Sequence, residues 1–206
     1  LDANFLEVRR MRSNVTFQDG EYRGCIGCHE TRAVAPPTLA RRQALALTKP
    51  PAQPRPPSWG DRVVPGFDRH IQPILDKHCT RCHGASKPKA GLDFTSRMVD
   101  GYPQSYRTMF GVKPGEPTPV SSKDAWRWWS KEPREHFDKE FFSRIYANEQ
   151  PGQLIAIADR FSGAEVTRPR QFGSAVSKLT RTLLDSPRHR KAVDISRQEW
   201  IALVTW

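Results

Sequence analysis

The chain has little of what most soluble enzymes of its size use for chemistry. Among 206 residues there are only four cysteines, three methionines and six histidines. It also lacks any apolar run near the roughly 18 residues that a membrane-spanning helix needs, so no such span is expected. Hydrophobic residues make up only 37% while prolines number 18 and glycines 13, which points to modest cores and many loops. Carboxylates are scarce relative to cations, 22 against 33, giving a formal net charge of +11. The chain opens LDANFLEVRR, with neither initiator Met nor the apolar core of a signal peptide. It stops at IALVTW inside an apolar helical pattern, so both ends are expected to be cuts in a longer precursor.

What cysteine there is has been placed unevenly. All four thiols fall in two copies of one five-residue pattern, CIGCH at 25–29 and CTRCH at 79–83. Each copy sets two thiols on one side of a short turn and an imidazole directly after the second. That arrangement attaches a c-type haem: Cys25 and Cys28, or Cys79 and Cys82, add to the haem vinyl groups, while His29 or His83 takes an axial position on the iron. A redox dithiol and a structural zinc also use Cys-x-x-Cys. Zinc ribbons separate their pairs by about 15–20 residues, far less than the gap from Cys28 to Cys79, and neither alternative requires a His after each pair. Two covalently bound haem c groups are therefore expected.

Proline divides the chain. PPAQPRPP at 50–57 holds five prolines in eight positions and reads as a semi-rigid polyproline spacer. Residues 1–49 form a first haem-binding segment, too short to enclose a haem alone. Residues 50–64 form a Pro-rich linker, and 65–206 a second, cytochrome c-like domain. In FDRHIQPILDKHCTRCH, Phe67, Ile71, Ile74 and Leu75 recur at helical spacing, so an amphipathic helix is expected to run into the motif, limited by Pro73. In SAVSKLTRTLLD a helix carries Val176, Leu179 and Leu183 on one stripe. The final SRQEWIALVTW begins with Ser196 and Glu199 in capping-box spacing, and Trp200, Ile201, Leu203 and Val204 form its apolar side. The fold class expected is mainly α, with cytochrome c-like haem domains joined by a loop-rich, Pro-rich connection. The stretch at about 102–170, with DAWRWWSKEPREHFDKEFFSRIY, is expected as an insertion of unassigned role, too long to lack structure of its own.

IQPILDKHCTRCHGASKPKAGLDFTS resembles the cytochrome c domain of planctomycete multidomain proteins, in which a helix, the haem motif and a Lys-Pro-x-x-Gly-Leu-Asp run follow in this order. GCIGCHETRAVAPP, the Pro-rich spacer and the ending GSAVSKL…ISRQEWIALVTW extend the resemblance to the di-haem part of the hydrazine synthase alpha subunit and its relatives. In hydrazine synthase a tyrosine a few residues after the first motif binds the catalytic iron. Here the corresponding stretch is ETRAVAPP, without tyrosine, and Tyr22 precedes the motif, which argues against hydrazine formation.

Axial ligands decide what each haem does, because protein ligation on both faces favours electron transfer whereas an open face admits small molecules. Besides His29 and His83, the candidates are His70, His78, His136, His189, Met11, Met98 and Met109. The resemblance implies His189 as the distal ligand of the second haem, in a loop DSPRHRKAVDIS before the final helix, with Met98 as the alternative. For the first haem the alternatives are His78, Met11 or an open site. Catalytic residues are not assigned.

The positive charge is expected to steer an acidic redox partner. Nucleic acid is not expected, since the arginine clusters are scattered among Pro-rich loops and no nucleic-acid motif occurs. Haem attachment of this kind takes place outside the cytoplasm, so a periplasmic or extracellular location is expected. The function expected is electron relay by an exported di-haem cytochrome. The alternatives are a catalytic haem subunit acting on a small nitrogen or oxygen species, hydrazine synthase-like or peroxidase-like, and a haem docking module of a larger complex.

Overall fold

The computed structural model describes residues 1–8, 18–20, 50, 56–57, 59–60, 64–99, 101–114, 144–145, 147–157 and 168–206. The helix expected before the second motif forms in two pieces. A π-helical turn at Phe67–Ile71 leads into α1, Gln72–His78. Pro73 stands in the first turn of α1, where its missing N–H is tolerated, and the wider turn lies upstream, where a regular ladder would have needed that donor. A two-stranded antiparallel ribbon follows, β1 at Met98–Val99 and β2 at Tyr102–Pro103, with Met98 opposite Pro103 and Val99 opposite Tyr102. After it come α2 (Gln104–Met109), α3 (Lys178–Asp185), α4 (Pro187–Ala192) and α5 (Arg197–Thr205).

One core joins these elements. Ile71, Leu75, Phe94, Met109, Leu154 and Leu203 are buried together, and Phe67, Leu179, Leu183, Trp200 and Trp206 pack around them. The spacing of Ile71 and Leu75 puts both on one side of the π turn and α1, which α5 covers with Leu203. Burying each such side chain contributes about 1.5–3 kcal/mol. An aromatic group caps the same face: Phe67 meets Tyr106 edge-on at 5.2 Å and lies 5.0 Å from Trp206. The capping box expected at the start of α5 is formed, with Glu199 N donating to Ser196 Oγ and Ser196 N to the Glu199 carboxylate. Trp200 Nε1 donates to the Asn4 carbonyl at 2.7 Å, tying residues 1–8 to α5.

A polar network threads the core. Buried Gln72 donates to the Phe94 carbonyl at 3.1 Å and to Asp76 at 2.8 Å, and accepts from the Ser105 hydroxyl. Thr108 Oγ1 donates to the Asp93 carbonyl at 2.7 Å. These bonds join α1, the Gly-Leu-Asp-Phe segment and α2, and each would leave a buried polar group unpaired if lost.

Met109 and Leu154, inside the stretch expected as an insertion, belong to this core. Met109 is fully buried, and Leu154 N donates to the Met109 carbonyl while Leu179 N donates to the Leu154 carbonyl. Residues 102–112 and 154–157 are thus part of the domain, placed there by hydrophobic and backbone pairing that a charge-rich sequence does not advertise. The tryptophan-rich run 126–129, His136 and Phe141–Phe142 lie outside the described residues. So do most of the Pro-rich linker and the whole first motif.

Candidate haem site

The site begins where α1 ends. Beyond His78 the chain keeps winding, with Cys79 N donating to the Leu75 carbonyl at 2.8 Å and His83 N to the Cys79 carbonyl at 2.9 Å. This turn places Cys79, Cys82 and His83 along one wall of a cavity of about 700 Å³. Gly84 permits the turn, since a Cβ there would stand 2.7 Å from the Thr80 carbonyl oxygen. Both thiols are free, and burial, with a smaller effect of the neighbouring Cys82, pushes the Cys79 thiol up to about 11. Leu92, Phe94, Val112, Leu154, Leu179 and Leu183 supply apolar walls. The volume falls within the roughly 300–1,000 Å³ of cofactor pockets.

Opposite His83 stands His189, on α4. The two imidazole centroids are 6.5 Å apart and the rings lie within 9° of parallel. Two imidazoles bound end-on to one metal, with metal–nitrogen bonds of about 2 Å, set their centroids roughly 6 Å apart. The remaining ring nitrogens are already engaged. His83 Nδ1 lies 2.9 Å from the Lys89 carbonyl, which can only accept, so Nδ1 carries the proton and Nε2 keeps its lone pair. His189 Nδ1 lies 3.0 Å from Ser186 Oγ, which leaves Nε2 on the other side of that ring. Hydrogen bonding at one nitrogen is how a metal-ligating His is oriented. Burial lowers the His83 pKa, opposed by the Lys89 carbonyl bond and reinforced by the facing His189. The neutral form is favoured. Phe94 meets the His83 ring edge-on at 5.5 Å and holds its plane.

The segment carrying His189, read from sequence as a loop, is helical at Pro187–Ala192. Ser186 is its N-cap and Pro187 its first residue, a start signal legible in Ser-Pro but overshadowed by the basic run behind it. Sequence reasoning also missed the Lys89 carbonyl, Ser186 and Leu154, none of which carries a distinguishing residue pattern.

The other sequence candidates lie elsewhere. Met98, the alternative to His189, is 61% exposed on β1 and does not line the cavity. Met109 fills the core. His70 Nδ1 faces the Gly66 peptide, with the Trp59 ring beside it. His78 borders the cavity, but its Nε2 is 3.3 Å from Glu199 Oε2. Cys25, Cys28, His29 and Met11 lie outside the described residues.

The donor set fits a haem: two thiols at one edge, two parallel imidazoles across the space, and apolar walls between. A zinc held by the second motif would need further donors drawn in around the thiols. Among the described residues, no three of His, Cys, Asp and Glu converge as a metal-binding group. No helix among them is long and apolar enough to cross a membrane. Comparison with protein-family models, curated proteins and solved structures found no match to this chain.

Proposed function

We propose that the protein is an exported di-haem c-type cytochrome that relays electrons to or from an acidic redox partner, with a mainly α, cytochrome c-like domain around its second haem. The observation that carries the reading is the facing pair His83 and His189, 6.5 Å apart and nearly parallel beside Cys79 and Cys82. A haem bound there supplies one-electron chemistry at its iron. Cys79 and Cys82 would hold it covalently, and His83 and His189 would supply imidazole nitrogens to its iron. Leu92, Phe94, Leu154 and Leu179 would shield the group from water, and this shielding, with the hydrogen bonds at both Nδ1 atoms, would tune its potential. The packing of α5 against the π turn and α1 supports the cytochrome c-like reading and its resemblance to the planctomycete domains. The first haem is proposed from CIGCH at 25–29 alone.

Intact mass and the absorption spectrum test this. The chain should exceed its polypeptide mass by two haem groups, and the colour should stay with the protein in acidified acetone. The haem at Cys79 and Cys82 should be low-spin and indifferent to carbon monoxide when reduced. Stoichiometric zinc without a Soret band would sink the proposal.

A further inference from the structure

The helix that carries His189 has no footing in the core. Of the six residues of α4, five are exposed and His189 alone is half-buried. One extended residue bounds it at each end, Ser186 at φ −78°, ψ 116° and Val193 at φ −124°, ψ 113°. The backbone bonds of this stretch are local: Ser186 N donates to the Thr182 carbonyl, Arg190 N to the Ser186 carbonyl and Val193 N to the His189 carbonyl. The Ser186 hydroxyl orients the His189 ring, but it belongs to the same short stretch and cannot hold that stretch against the facing wall. The bond that does so comes from the motif. Arg81, between Cys79 and Cys82, donates from Nη2 to the Ala192 carbonyl at 3.1 Å, joining residues 111 positions apart. Among the described residues it is the one hydrogen bond or ion pair that ties α4 to a segment distant in the chain. Arg81, Ala192 and Val193 all line the cavity. A carbonyl in the last turn of a helix has no intrahelical donor, and a cationic side chain there is a favoured partner.

We infer that Arg81 is a positioning residue: it clasps the end of α4 to the Cys-x-x-Cys turn and so keeps His189 facing His83, and its release lets α4 swing away and admit a small ligand on the His189 side. The inference rests on the haem reading above. Thioether bonds at Cys79 and Cys82 would fix the chain on both sides of Arg81, giving the clasp a rigid base. Its other end is a helix that buries none of its residues, so opening breaks no core contact and turns on the joints at Ser186 and Val193. Removing one hydrogen bond from a charged donor shifts such an open–closed balance by about three- to tenfold. Lysine at this position would keep the charge without the planar fork of donors.

Cyanide binding to the full, oxidised, haem-loaded chain reads the opening. The Soret shift of the haem at Cys79 and Cys82 should develop at a rate that levels off as cyanide rises, because α4 must open before the ligand enters. In His189→Ala that phase should instead stay proportional to cyanide, which assigns it to this haem and separates it from any signal of the first. Arg81→Ala should raise the levelled rate about three- to tenfold while the resting spectrum stays low-spin. Arg81→Lys should fall between it and the parent. Arg190→Ala removes one exposed charge from α4 and leaves the Arg81 bond in place, so its levelled rate should stay within about twofold of the parent's. Denaturant midpoints should be unchanged in these three Arg variants, since no buried group is disturbed. Equal levelled rates in the parent and Arg81→Ala would overturn the clasp and leave the haem reading intact. Arg190→Ala matching Arg81→Ala would overturn it too, by reducing the effect to charge. If Arg81→Ala takes up no haem, Arg81→Gln decides by the same comparison. Absence of a Soret band in the parent chain would overturn both the haem reading and this inference.

Discussion

His78 Nε2 lies 3.3 Å from Glu199 Oε2, so the last residue of α1 and the capping box of α5 share one carboxylate. Lys77 Nζ holds the other oxygen at 2.9 Å. The helix that delivers the second Cys-x-x-Cys-His motif is thereby fastened to the C-terminal helix just before the motif begins. Among the described residues, Glu199 is the partner of His78 Nε2.

That carboxylate gives the fold an acid-sensitive joint. The Lys77 hydrogen bond, aided by the Ser196 amide and hydroxyl and by His78, brings the Glu199 pKa to about 2 from 4.5. A depressed folded-state pKa gives stability that is present above the unfolded value and lost as pH falls towards the folded one. Unfolding monitored across pH 5 to 2 should therefore show a steeper loss in the parent than in Glu199→Gln. At neutral pH the variant should be less stable by roughly 1 kcal/mol, through the weakened cap. Parallel curves for the two proteins would contradict the role given to Glu199.

Removing the His189 imidazole, the proposed ligand, should be visible in the spectrum. His189→Ala should turn one haem of the pair high-spin and let it bind about one equivalent of carbon monoxide per chain, leaving the other haem unchanged. An unaltered spectrum would show that His189 is not the ligand.

Ser186→Ala separates orientation from ligation. His189 keeps Nε2 but loses the hydroxyl 3.0 Å from its Nδ1. The haem should stay low-spin while its midpoint potential and electron paramagnetic resonance g-values shift, and loss of the N-cap should cost about 1 kcal/mol of stability. Stability loss with an unmoved potential would reduce Ser186 to a helix cap.

The polar core should prove as sensitive as the apolar one. Gln72→Leu leaves the Phe94 carbonyl and the Ser105 hydroxyl without their partner in the core, at about 1–3 kcal/mol for each group stranded. Ile71→Ala should cost about 2–5 kcal/mol through the cavity it opens. Denaturant unfolding measures both, and a neutral Gln72→Leu would mean that the network is replaceable by packing.

What the sequence determined by itself is local. The two Cys-x-x-Cys-His patterns, the helical spacing of Ile71 and Leu75, the limit set by Pro73 and the Ser196–Glu199 box all lie within about ten residues. Covalent geometry and helix periodicity dictate them without reference to the rest of the chain. Tertiary structure decided what stands opposite what. His189 was singled out from sequence only through a likeness to other proteins, and its parallel stance across from His83 depends on α4, capped by Ser186, closing over the cavity. Leu154 and Met109, inside a stretch set apart for its aromatics and charge, join the core through backbone bonds that no side-chain pattern encodes. Facing pairs of this kind bring together residues some hundred positions apart, and their separation is fixed by packing rather than by spacing along the chain.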